Sequence, residues 1–79
     1  MKNLYKNVAS SKEIGEIIRQ ARKQVKMKQA EAAGLCGVGT RFFSELENGK
    51  NTLHIGKVLD VLKKFGLIVG IKKRETNDE

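Results

Sequence analysis

The chain has 79 residues, 16 basic and nine acidic, for a formal net charge of +7, with one cysteine and no proline or tryptophan. A chain of this size buries only about 60% of its unfolded surface, so it makes one small domain with a thin margin of stability that a second copy sharing its core would widen. The single Cys36 excludes an intrachain disulfide and argues against a four-ligand zinc site, and the lack of a disulfide framework suits a reducing cytoplasm.

Residues 1–10 read as an N-terminal arm. MKNLYKNV has no apolar run of signal-peptide length, and no segment reaches the about 18 apolar residues of a membrane span. The expectation is a soluble, unexported protein of the cytoplasm.

The first helix is expected from Ser11 to about Val25. Ser10 and Glu13 have the S-x-x-E spacing of a capping box. Ile14, Ile17, Ile18, Ala21 and Val25 then recur at three- and four-residue steps as one apolar stripe, with Arg19, Lys23 and Lys26 largely off it. A shorter second helix is expected over Gln29 to Leu35. Its alanines favour helix and permit close approach, and Gly37 is a natural stop.

The third helix lies in VGTRFFSELENGK. At 100° per residue, Phe42, Phe43 and Leu46 fall within one arc of about 100°, while Thr40, Arg41, Ser44 and Glu45 fill the adjacent polar arc and Asn48-Gly49 closes the helix. The fourth helix is expected to take Thr52 as its N-cap and to run to about Phe65. Its inner face is read as Leu53, Ile55, Val58, Leu59, Leu62 and Phe65, and Gly66 is its stop.

Leu67-Ile68-Val69-Gly70-Ile71 is the one strand pattern, running into Lys72-Lys73-Arg74. A solitary strand leaves backbone groups unpaired. Its partner is either the Leu4-Tyr5 region or the same strand of a second copy, and the shortness of the chain favours the second copy. The basic end, Lys72 to Arg74, is either solvated or meets DNA flanks or an acidic partner surface. Residues 75–79 hold three acids and no base and are expected to be disordered. Without them the chain has 16 basic and six acidic residues, +10. That density points to an anionic partner, nucleic acid first, against the plainer alternative of a solvated basic surface.

Three features in fixed order carry a resemblance: Gln29 opening the second helix, the turn glycine Gly37 eight residues later, and Ser44-Glu45-Leu46-Glu47-Asn48-Gly49-Lys50. Residues 11–66 resemble the lambda-repressor-like (Cro/C1, or XRE) helix-turn-helix DNA-binding domains. The absence of a fifth helix and the strand following the fourth make the chain most similar to the HipB-type antitoxin regulators. The resemblance implies a mostly α, four-helix domain whose C-terminal β-strand, residues 67–74, pairs across a homodimer through Leu67, Ile68, Val69 and Ile71. Departures are Lys28 where the family often has a threonine N-cap, Gly39 where serine or lysine is common, and the small Ala32 and Cys36 at usually larger positions.

The resemblance also implies roles. The polar arc of the third helix faces the major groove, where Arg41 donates two hydrogen bonds to guanine. Thr40 meets a thymine methyl or a phosphate, Ser44 a base or phosphate oxygen, and Glu45 either accepts from cytosine N4 or repels a misplaced backbone. Gln29 bonds a phosphate and braces the third helix. Arg19, Lys28, Gly39, Asn48 and Lys50 are the other backbone contacts, and Arg22 with Glu47 forms a structural ion pair. His54 is read as exposed and idle, and Cys36 as a core residue. The expected protein is a dimeric transcriptional repressor without cofactor, metal or enzymatic activity, bound to an inverted-repeat operator and partnered by a HipA-like serine/threonine kinase toxin. The alternatives are a stand-alone phage or plasmid regulator and an antitoxin acting mainly through protein contacts.

Overall fold

Ser10 is extended, and its Oγ accepts the Glu13 N–H at 3.2 Å, which starts α1 (Ser11–Gln24). The returning arm of the box reaches one residue further back than the motif requires: Glu13 accepts the N–H of Ala9 at 2.6 Å. The computed structural model describes residues 5–74, in which α1 is followed by α2 (Gln29–Cys36), α3 (Thr40–Glu47) and α4 (Ile55–Lys64).

All four helices end in the same way. Each end carries one left-handed residue: Lys26 at φ 59°, Gly37 at 70°, Gly49 at 83° and Gly66 at 72°. Each time the next N–H turns back five residues: Met27 to Arg22, Val38 to Ala33, Lys50 to Glu45 and Leu67 to Leu62. These are Schellman closures, which satisfy the orphan carbonyls of a helix end. Lys26 alone reaches this conformation with a Cβ, at a cost of about 1 kcal/mol.

α3 lies between α1 and α2, and α4 packs on α2. The core joins Ile18 of α1, Ala32, Ala33 and Cys36 of α2, Phe43 and Leu46 of α3, and Val58, Val61 and Leu62 of α4. Phe43 and Phe65 meet as tilted rings with centroids 6.3 Å apart, a favourable aromatic geometry. The small Ala32 and Cys36 let α2 approach closely, and the aromatic volume comes from Phe43.

The α1–α3 seam is unusually close. A Cβ on Gly15 would come within 2.7 Å of the Glu47 carbonyl oxygen, and one on Gly49 within 2.7 Å of the Lys12 Cα. Ser11 Oγ donates to the Gly49 carbonyl at 2.8 Å across the same seam. The start of α1 is thus fastened to the turn that ends α3.

Three expectations are corrected. The N-cap of α4 is His54, not Thr52: its Nδ1 accepts the Lys57 N–H at 3.2 Å, so His54 is not idle. Of the expected inner face of α4, Val58 and Leu62 are buried and Leu53 and Phe65 pack against the core, but Ile55 is 67% and Leu59 44% exposed, and Val61, not expected there, is fully buried. At about 100° per residue the apolar residues of α4 span an arc too wide to be buried whole, and the domain buries the Val61 side of it and leaves the Leu59 side to solvent. Val25 is the C-cap just beyond the end of α1 and is exposed, and the chain turns left-handed at the next residue, Lys26, instead of carrying the apolar stripe further. Among the described residues no strand forms: Leu67 packs on the core, and residues 68–74 are exposed and without regular structure. A strand is defined by a ladder, and the described residues of one chain supply no second edge; the expected pairing is with a second copy. Leu4 and the acidic residues 75–79 lie outside the described residues; the Tyr5 ring lies beside Gly70, so the arm and the C-terminal segment run close together.

Candidate nucleic-acid interface

α3 divides cleanly into two faces. Phe43 and Leu46 are buried and Phe42 is half-buried, with the Lys57 Nζ 5.8 Å from its ring centroid. Gly39, which caps the helix without a side chain, and Thr40 are exposed. The Arg41 side chain is 90% exposed, and Ser44 and Glu45 are half-buried beside it. Small residues at the leading end leave the backbone approachable, and a long donor-bearing side chain stands beside them. Arg41 Nε lies 3.5 Å from Glu45 Oε2 and Lys50 Nζ 3.3 Å from the same oxygen. Such exposed pairs contribute little to stability, so they hold the cations loosely.

Behind this face sits a buried carboxylate. Glu47, on the last turn of α3, is fully removed from solvent at its side chain. Its Oε2 accepts from Arg22 Nε at 2.6 Å. Its Oε1 accepts from Arg22 Nη2 at 3.1 Å, Gln29 Nε2 at 2.9 Å and Arg19 Nε at 3.4 Å. Arg22 also donates to the Met27 carbonyl at 2.8 Å, which secures the α1–α2 turn. Burial alone pushes the Glu47 carboxyl up. The hydrogen bonds from Arg22 and Gln29, the charge of Arg22 and the Arg19 bond outweigh it and hold Glu47 below the usual carboxylate range. The hydrogen bond to Glu47 holds the Arg22 guanidinium above its usual range. One carboxylate therefore fixes α1, the start of α2 and the end of α3 relative to one another.

The residues expected to touch DNA fall into two groups. Thr40, Arg41, Ser44, Glu45, Gly39 and Lys50 share the polar side and end of α3, and Lys28 is exposed at the N-cap of α2. Lys28 has no acceptor to offer its helix; its own N–H is taken by Glu31 at 2.8 Å. Arg19, Asn48 and Gln29 are instead engaged within the chain. Arg19 Nη2 donates to Asn48 Oδ1 at 2.9 Å, and Gln29 binds Glu47. Sequence reasoning missed Arg19 as a partner of Glu47. The signal was present: Gly15, Arg19 and Arg22 are spaced at four and three residues, a helical face that the search for apolar residues passes over. Cys36 is buried, and desolvation pushes its thiol up against the opposing charge of Lys64, leaving an inert core sulfur. Ile68, Val69 and Ile71 stand exposed beyond α4.

Comparison with known proteins matches these features. Residues 1–69 fit the family model described as the antitoxin component of bacterial toxin–antitoxin systems, MqsA. An uncharacterized HTH-type transcriptional regulator of Sinorhizobium fredii (strain NBRC 101917 / NGR234), y4mF, is 44% identical over 66 residues, which span 84% of this chain and 87% of that one. Among solved structures, chains of a HipA–HipB–O2–O3 complex and of a HipB–O4 20mer complex superpose with TM-scores of 0.77 at 17% identity, each over 90% of this chain and the whole of the other. That likeness is one of fold. Among the described residues, no helix is long and apolar enough to cross a membrane.

Proposed function

The chain belongs to the MqsA-type family of antitoxin components and to the HTH-type transcriptional regulators, and from this we propose that it is a sequence-specific repressor of its own toxin–antitoxin operon. The observation that carries the proposal is the division of α3: an apolar face seated in the core, and an exposed face of Thr40, Arg41 and Ser44 on a domain with a formal charge of +7. A major groove about 12 Å wide admits such a helix. Arg41 is assigned to guanine O6 and N7, Thr40 to a thymine methyl or phosphate, Ser44 to a base or phosphate oxygen and Glu45 to cytosine N4. Lys28, Gly39 and Lys50 are assigned to the phosphate backbone. Gln29, Arg19 and Asn48, each already held inside the chain, position the helix and meet phosphate only with their remaining donors.

Two protomers are proposed to join through residues 67–71, with Ile68, Val69 and Ile71 forming the shared strand and Leu67 anchoring it to each core. The two copies of α3 then enter successive major grooves about 34–36 Å apart on an inverted repeat. The antitoxin family supports a toxin partner in kind, and the likeness in fold to HipB supports a HipA-like serine/threonine kinase as that partner. The family match also favours an antitoxin over a stand-alone regulator.

Gel shift with the upstream region of its own operon against scrambled DNA tests the repressor reading, which expects a preference of 10³-fold or more, on the order of specific DNA binders. Equal affinity for both removes it. Co-purification from the native operon, followed by mass measurement, tests the toxin assignment; a complex lacking a kinase-like chain removes that part alone.

A further inference from the structure

We propose that Glu45 is an internal counter-anion that competes with DNA phosphate for Arg41 and Lys50 and thereby suppresses binding to non-operator DNA; this rests on the DNA-binding reading above. Three observations carry it. Arg41 and Lys50 approach one and the same oxygen, Oε2, from opposite sides in sequence, at 3.5 and 3.3 Å. The arrangement is built by the helix ends rather than by free side chains. Arg41 is one turn before Glu45, and the Lys50 N–H is bound to the Glu45 carbonyl at 3.0 Å by the closure that the left-handed Gly49 permits. Finally, Glu45 is the one acid on the exposed side of α3, since Glu47 is buried and committed to Arg19, Arg22 and Gln29.

The two surfaces compete for the same cations. On DNA of unrelated sequence, binding is phosphate-dominated. Arg41 and Lys50 must leave Glu45 for phosphate, and the carboxylate is left beside a polyanion without a donor. On the operator, Arg41 gains guanine and Glu45 gains the amino group of cytosine, so both losses are offset. An exposed ion pair is worth up to about fivefold in an equilibrium constant, and two such pairs meet at Glu45.

The test is fluorescence anisotropy of the full chain with two duplexes, the operon's upstream region and a scrambled control. Glu45→Gln keeps the shape and removes the charge. Affinity for scrambled DNA is expected to rise about three- to tenfold, with a smaller change on the upstream region, and the gain is expected to shrink as salt is added. In a Lys50→Gln background the same substitution gains less. Glu45→Ala, a good helix former, repeats the measurement without the amide. Unchanged or weaker binding to scrambled DNA overturns the proposal. So does a ratio that narrows only because operator affinity falls, which would make Glu45 a base contact alone, or an equal rise on both duplexes. A wild-type chain that does not prefer its upstream region overturns the DNA-binding reading itself.

Discussion

Glu47 Oε2 sits 2.6 Å from Arg22 Nε, and the glutamate side chain has no exposure to solvent. The pair joins the last turn of α3 to α1, and through Gln29 it also holds α2. A buried ion pair adds little net stability, but removing one partner leaves a buried charge uncompensated. Glu47→Ala, which strands Arg22, is expected to cost about 3–5 kcal/mol. Urea denaturation measures it. A loss below 1 kcal/mol would mean that water or another acid replaces the carboxylate.

Acid should act through the same residue. Glu47 is held below the usual carboxylate range by Arg22, Gln29 and Arg19 despite its burial. A carboxyl depressed on folding contributes stability that is fully present above its unfolded pKa and is lost as pH falls through the folded value. Stability should therefore decline as pH drops below about 4.3, the unfolded glutamate value, and the decline should be shallower in Glu47→Gln. Thermal melts from pH 6 to 2, taken as round settings on the order of the carboxylate range, check both. Equal slopes in the two chains would remove Glu47 as the acid-labile group.

Two glycines should respond oppositely to alanine. Gly15 faces the Leu46 and Glu47 carbonyls, and a Cβ there would sit 2.7 Å from the Glu47 oxygen. Backbone cannot give way as a side-chain end can, so Gly15→Ala should cost about 1–3 kcal/mol. Gly34 lies within α2 with nothing within 4 Å of an added Cβ, so Gly34→Ala should stabilise by about 0.5–1 kcal/mol. Chemical denaturation of the two variants gives the signs.

Association should depend on the exposed C-terminal segment. Ile71 is 98% and Ile68 80% exposed, an unfavourable use of β-branched apolar residues on a lone chain. The proposed shared strand would cover them. Sedimentation velocity at micromolar concentration is expected to give a dimer for the wild type and a monomer for Ile71→Glu. A monomeric wild type would remove the strand-exchange arrangement.

What the sequence made legible was periodic or punctuated. The start of α1 followed from Ser10 and Glu13, and the ends of α2, α3 and α4 from Gly37, Gly49 and Gly66. The two faces of α3 followed from helical phase. The fourth helix was read less well, because His54 is a less obvious cap than Thr52 and its apolar residues span an arc wide enough that periodicity alone did not decide between the Leu59 and Val61 sides. The α1–α3 seam was hidden for a different reason. Ser11, Gly15, Arg19 and Arg22 form a packing stripe made of polar residues and a glycine, which an apolar pattern does not register. Arg19 looked like a free cation for the same reason, since its partner lies 28 residues away.

The most direct test of the account is the affinity of Arg41→Ala for the operon's upstream region, measured beside the wild type with the scrambled duplex as control. Arg41 is almost fully exposed and its pair with Glu45 is a surface one, so the variant should fold and melt as the wild type does. Operator affinity is expected to fall about 5- to 150-fold, the value of a bidentate guanine contact, with a much smaller loss on scrambled DNA. An unchanged operator affinity in a folded variant would contradict the claim that this face of α3 reads the sequence.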